Sequence, residues 1–347
     1  MSKPVQSDCG YAYAKAGGII GKSFLGKRIT LLSGLRTLGD LDDLIFSGKG
    51  GGTRSAEQGK QLLAELERKI TERALSRILS VVKSFSIPPL LLIYTLKSYE
   101  LSALKECLCA ASDSKKEIPS FCDTGSFSSI RYSAYPDIAA MLKNTEYKSY
   151  INKNAVESGA DIAALEVKLD YYFYERLFKS LSDLSGDDYE TARKLLCDEI
   201  SLRNCIWALR LRGYYEKNEA QTSACFMNFA AARGSQKKEN LAFAAKASLK
   251  FHLDVRQHWT GWKWEKFLNA DEPPAHWNAD PEYFQNAASR YLYLHSFKIF
   301  HSFPVSVSSI YCFIKLIMFE EDLLLSAAQG LALGMESSAV LKMLGVD

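Results

Sequence analysis

Leu165, Leu169, Phe173, Leu177 and Leu181 recur at intervals of four, while Glu166, Lys168, Asp170 and Glu175 occupy the other faces. An apolar stripe at this spacing marks a helix that buries one face. Ser185-Gly186-Asp187-Asp188 then interrupts the pattern. Ser185 is placed to accept from the backbone of Asp188 as a cap, and the acids suit the positive end of a new helix. A second stripe of Leu195, Leu202, Ile206 and Leu209 follows and runs to Gly213, a residue that commonly ends helices. The pattern predicts two long helices over 162–213, joined by a tight turn.

A weaker version of the same design lies at 64–110. With no gap, Ala64, Leu66, Glu67, Lys69, Arg77, Ser86, Glu100 and Ser102 fall on Ala163, Leu165, Glu166, Lys168, Arg176, Ser185, Glu199 and Ser201. The turns coincide too, with Pro88-Pro89 on Asp187-Asp188. Matching residues together with matching turns point to duplication of one supersecondary unit, and such units stack on their neighbours. A third helix–break–helix pattern covers 286–330, with Pro304 in the break and Glu320 and Glu321 near its end. The tryptophan-rich stretch 259–284 is the insertion that sets it apart from the second copy. The expected fold class is all-α, with three similar helical domains at 1–115, 116–232 and 233–347. Segments 47–53, 113–129 and 233–240 read as linkers from their Gly, Ser, Pro and charge content. No Asn-Gly or Asp-Gly hairpin between alternating β-branched residues argues for strands.

Composition narrows the function classes. A hydrophobic share of 47%, a charged share of 24% and a net charge of +3 over 347 residues are those of an ordinary packed protein. So small a net charge gives no general field for nucleic acid or anionic lipid, and the basic runs 22–36 and 237–238 read as solvated faces. The eight cysteines form no C-x-x-C pair, and Cys197, Cys205 and Cys312 fall on apolar helix faces. That is the usage of reduced, packed thiols, not of a disulfide framework or a zinc site. The first 15 residues lack an apolar core, so no signal peptide is expected. Segments 87–96 and 305–318 are too short or too charged for the roughly 20 apolar residues of a membrane span.

Four features invite a chemical reading. Ala16-Gly-Gly-Ile-Ile-Gly-Lys22-Ser23 matches a degenerate phosphate-binding loop, yet that loop needs a buried strand before it, and 7–15 is a poor strand. His252, His258, His276, His295 and His301 show i, i+6 spacings, which do not bring two ligands to one helix face. Trp259, Trp262, Trp264 and Trp277 suit the seam between helices better than a ligand platform. Glu100, Glu199, Glu320 and Glu321 recur with the repeat, which favours a structural or interface role over catalysis. No nucleophile, base and oxyanion hole assemble in the pattern.

Within this frame the chain resembles the V-type ATPase subunit called C in prokaryotes and d in eukaryotes. The resemblance rests on Leu165-Glu166-x-x-Leu169-Asp170, then Glu199-Ile200 with Asn204, Cys205 and Arg210, and on the opening Tyr11-x-Tyr13-Ala14 helix. The closing run 313–335 is similar as well, with Glu321 ahead of a leucine-rich stretch and a glycine. Ser201 stands where the family usually has Asp. The resemblance implies a non-catalytic rotor part, without cofactor, metal or small-molecule substrate. It implies three helical domains in pseudo-threefold arrangement forming a funnel, with the central rotor shaft at one end and the membrane proteolipid ring at the other. It also implies a peripheral position on the cytoplasmic face, and Tyr11, Tyr13, Glu166, Asp170, Glu199, Asn204, Arg210 and Glu321 as signature or interface residues. The alternative is an α-helical repeat adaptor with no rotary role, which predicts an open superhelix.

Overall fold

A computed structural model describes residues 6–46, 56–112, 124–149, 151, 162–229, 240–269 and 277–343. The linker 47–53, most of 113–129, most of 233–240 and His276 lie outside the described residues. Described residues form helices and turns with no strand: α1 (Gln6–Ile20), α2 (Leu38–Phe46), α3 (Ala56–Val82), α4 (Leu90–Ser112), α5 (Ile138–Met141), α6 (Ile162–Ser180), α7 (Gly186–Gly213), α8 (Glu219–Ala224), α9 (Phe243–Ser248), α10 (Pro281–Ser302), α11 (Val307–Ala332) and α12 (Ser337–Met343). Residues Ala16 to Ile20 are helical, so the glycine-rich run there is part of a helix and not a phosphate-binding loop.

The segments that the sequence reads as three units hold the helix pairs α3/α4, α6/α7 and α10/α11. Leu169, Phe173, Leu177 and Leu181 are all buried, and so are Leu195, Leu202 and Leu209 on α7. Equivalent repeat positions do equivalent work. On α3, Glu67 accepts from the Gln329 amide of α11 at 2.9 Å. On α6, Glu166 accepts from the Cys109 thiol of α4 at 3.6 Å. Each glutamate on a first helix thus reaches the second helix of a different unit.

That exchange is general. The first helix of each unit packs along the second helix of another unit: α3 on α11, α6 on α4, and α10 on α7. Only α10 and α11 also pack extensively on each other; α3 and α4 splay apart after their turn. The sequence predicted simple hairpins, and the first two units are instead open forks whose apolar faces serve different neighbours. The order is cyclic, because the last long helix returns to the first. Each seam carries a polar clamp. Lys105 Nζ lies 2.7 Å from Asp170 across α4–α6. The Tyr291 hydroxyl donates to Asp198 at 2.9 Å across α7–α10. Arg77 meets Glu320 at 2.9 Å across α3–α11, with Arg73 at 3.3 Å.

One expected cap is corrected. Ser185 precedes α7 in extended backbone but its hydroxyl makes no capping bond. Gly186 enters the helix with φ +58°, which sets a path that keeps the hydroxyl off the backbone of Asp188. The Asp188 carboxylate instead accepts from the Ser308 N–H at 2.8 Å, tying the turn of the second unit to the start of α11. The tryptophans fill a core. Trp259, Trp262, Trp264 and Trp277 are buried in one cluster with Leu202, Cys205, Leu209 and Phe284, where edge-on ring contacts such as Trp259–Trp262 at 5.1 Å suit aromatic quadrupoles.

The central cavity as candidate functional site

Between α3, α4, α6, α7, α10 and α11 lies a cavity of about 680 Å³ that opens to solvent. Its wall carries Glu199, Arg203, Lys315, Glu321 and Asp322 among hydroxyls such as Thr71 and Tyr99. A second space of about 760 Å³ continues past Arg210 and Asp322 to Tyr214, Met335 and Leu333. Leu333 is 81% exposed and Tyr214 60%, so the outer rim sets exposed apolar side chains among polar ones such as Arg210, Glu282 and Gln329.

The inner charges fall into two groups. Glu199 accepts from Lys315 at 2.8 Å and from the Tyr174 hydroxyl at 3.1 Å. Burial works to raise its carboxyl, but Lys315, Arg203 and Tyr174 together outweigh burial and hold it below the ordinary value. Arg203 lies 5.0 Å above the Tyr174 ring, so this corner is a compensated cluster of one acid and two cations.

Glu321 is different. It is 8% exposed, its carboxylate lies 2.5 Å from the Tyr99 hydroxyl, and Thr71 supplies a second hydroxyl. Burial pushes its carboxyl up to about 7. Asp322 lines the cavity and keeps an exposed surface there; the protein around it still weakens the hydration of its charged form, which raises its carboxyl against the pull of Arg203 and Lys315. Glu320, one residue earlier, is only 2% exposed and is met by two guanidiniums.

The residues singled out from sequence separate by position. Glu199, Arg210 and Glu321 line the cavity. Asp170 and Glu166 sit on the α4–α6 seam. Asn204 is fully buried and structural: its amide donates to the Met227 carbonyl at 2.8 Å and to that of Leu241 at 3.3 Å, and its oxygen accepts from Met227 N–H at 2.8 Å. Tyr13 packs on Phe300 with ring centres 5.0 Å apart, whereas Tyr11 is 63% exposed. Ser201, the departure from the usual Asp, is buried and accepts from the Trp264 indole at 3.2 Å. Arg203, Lys315, Asp322 and Tyr99 were missed from sequence. The signal available was Glu320-Glu321-Asp322 within an otherwise apolar helix, because acids on such a helix need internal partners.

The His252 and His258 rings lie 5.1 Å apart, tilted by 57°, with the His258 Nδ1 accepting from the backbone N–H of His252 at 3.2 Å. No group of His, Cys, Asp and Glu suited to a metal ion occurs among the described residues. No helix among them is long and apolar enough to cross a membrane.

Known proteins are similar to this chain in sequence. A protein of Treponema pallidum (strain Nichols), named only as uncharacterized, is 29% identical over 314 residues, covering 89% of this chain and 88% of that protein. The family described as ATP synthase (C/AC39) subunit matches residues 54–343, a span that takes in all three helix pairs and both ends of the cyclic order. The chain belongs to the ATP synthase (C/AC39) subunit family.

Proposed function

We propose that the protein is a non-catalytic central-stalk subunit of a V-type rotary ATPase or ATP synthase. In this reading it links the rotor shaft to the membrane proteolipid ring, so that ATP turnover is coupled to ion movement. The observation that carries it is the cyclic helix order, in which α11 closes on α3 and each seam has a buried or half-buried polar clamp. Such a body is stiff, and it borders a cavity whose rim exposes Tyr214 and Leu333. Three domains at 1–115, 116–232 and 233–347 then form a funnel of pseudo-threefold symmetry. The shaft enters at the rim of Tyr214 and Leu333, and the other end rests on the proteolipid ring at the cytoplasmic face. An open α-solenoid adaptor is disfavoured, because its last unit lies away from its first whereas α11 lies along α3.

Attachment to the membrane assembly is through protein contacts. The net charge of +3 gives little pull toward anionic lipid, where each nearby basic residue contributes about 1 kcal/mol. The test mixes purified chain with anionic liposomes, with and without reconstituted proteolipid ring, and adds shaft subunits as a third component. Sedimentation only with ring-bearing vesicles, and recovery of the shaft only when the chain is present, are the expected results. Strong binding to bare liposomes, or shaft recovery without the chain, overturns the reading.

A further inference from the structure

The outer side of the α7–α10 seam is a shelf of aromatic rings topped by lysines. Tyr291 of α10 donates to Asp198 of α7, and the rings of Trp264 and Phe267 are centred 5.7 and 5.4 Å from its own. Lys263 Nζ lies 4.2 Å over the Trp264 ring and 3.2 Å from Asp198. Lys266 Nζ lies 5.4 Å over the Phe267 ring and 5.7 Å from the centre of the Tyr291 ring. Further along the seam, Lys194 of α7 and Lys298 of α10 both act on His295, whose ring is centred 5.6 Å from that of Tyr291. All four lysines are exposed, and among the described residues only Lys263 has a carboxylate partner. The neighbouring acids are committed elsewhere: Glu265 accepts from the Gly261 N–H at 2.7 Å, and Glu190 meets Arg193 at 3.5 Å. We propose that this shelf is a docking surface for an acidic segment of a partner protein, which lays its carboxylates across Lys194, Lys263, Lys266 and Lys298.

A free lysine loses side-chain freedom when it binds, and that loss weakens binding. Here the ring faces already hold Lys263 and Lys266 in place, so less freedom remains to be lost. The four ammonium groups share one local carboxylate, Asp198, and such a local excess of positive charge selects a partner surface of opposite sign. Nucleic acid suits the shelf less well, because Trp264 and Phe267 are only 4% and 7% exposed and offer no ring on which a base can stack. Anionic lipid suits it less well for the same reason, since the rings are covered and cannot enter a bilayer interface. None of these residues lines either cavity. The shelf therefore takes its partner whatever occupies the cavity, and it stands or falls separately from the rotary reading.

His295 reports on occupancy. Burial holds its imidazole below the ordinary value, Asp198 opposes that, and Lys194 and Lys298 add to the lowering. Carboxylates laid across those two lysines cancel their push, so the His295 titration midpoint should rise. The probe is a peptide of about ten glutamates, long enough to span the roughly 10 Å of helix between Tyr291 and Lys298. It is added to the isolated full chain while the histidine ring protons are followed by NMR, with His295→Gln assigning the signal. Saturable binding that weakens as salt rises is expected, with a His295 midpoint that moves up more than that of any other histidine. Lys263→Glu with Lys266→Glu, and separately Lys194→Glu with Lys298→Glu, should each weaken binding by about tenfold or more. Lys83→Glu with Lys217→Glu, at exposed positions elsewhere, should leave it within about twofold. Asp198→Asn keeps a partner for Tyr291 but frees Lys263, and it should tighten binding. No saturable binding, an equal loss in the Lys83 and Lys217 variant, or a stationary His295 overturns the proposal. So does binding of phosphatidylserine vesicles or single-stranded DNA at these lysines in place of the peptide. Asp271 and Glu272 lie outside the described residues; a gain of about tenfold on Asp271→Asn with Glu272→Gln would also overturn it, because acids of the chain itself would then already cover the shelf.

Discussion

Glu320 is tolerated in the interior because Arg73 and Arg77 reach it from α3, with side chains 16% and 21% exposed. Removing one partner of such a set leaves uncompensated charge, at a cost of about 3–5 kcal/mol. Glu320→Ala should therefore shift the urea midpoint far more than Glu72→Ala, which breaks the exposed Arg68–Glu72 pair and should cost about 0–1 kcal/mol. Equal shifts for the two variants would show that the α3–α11 clamp adds nothing. Glu321 and Asp322 contribute with the opposite sign to an ordinary ion-paired acid. Their folded values of about 7 and about 6 lie above the model-peptide values, so the folded state binds these protons more tightly than the unfolded chain. Stability conferred by the neutral acids is full below about pH 4 and falls as pH rises toward 7. Glu199, held low, adds stability above its ordinary value and loses it only in more acid solution. The urea midpoint should accordingly decline from about pH 5 to about pH 7.5, and Glu321→Gln should flatten much of that decline. None of these environments is legible from sequence. A Glu-Glu-Asp run announces that partners are needed, but which acid finds arginines depends on how α3 lies against α11.

At the scale of the element, the helices themselves are legible. The intervals of four along 165–181 place α6, and Pro88-Pro89 places the start of α4, because helical periodicity and backbone restriction are local physics. Pairing is not local. The stripe of Leu91, Leu92 and Leu96 shows that α4 buries a face but not that the face meets α6 in place of α3. One close approach was equally invisible. Gly330 lies in α11 where a Cβ would collide with the Val340 side chain of α12. Gly330→Ala improves helix propensity by about 1 kcal/mol, yet overpacking costs typically 1–3 kcal/mol, and the contact is with a stiff β-branched residue. The variant should be less stable than the parent, and Val340→Ala should cost less in its background than alone. A double-mutant cycle with no coupling between the two positions would refute the close packing of α12 on α11.

Over the whole molecule, the sequence reading reached the all-α class. The closure of the third unit on the first needed the structure, because an open stack and a closed ring bury the same stripes. Closure has a thermodynamic consequence. In a linear array each unit contacts only its neighbours, so a terminal unit can be removed and the rest still folds. Here α11 is the partner of both α3 and α10 and also packs on α1. It supplies Leu323, Leu324 and Leu331 to the cluster that holds Leu32, Leu41, Leu66 and Ile70. Removing residues 303–347 strips that cluster from the opposite end of the chain. The truncated chain should lack a cooperative unfolding transition and expose apolar surface. The full chain should unfold in one step, with helical circular dichroism and tryptophan fluorescence giving the same midpoint. The comparison is informative because Trp259, Trp262, Trp264 and Trp277 sit in one core cluster, while the helical signal comes from every unit. Should residues 1–302 unfold cooperatively with near-native helicity, or should the two probes of the full chain give separate midpoints, the three units are independent and contact between α11 and α3 does not hold the molecule closed.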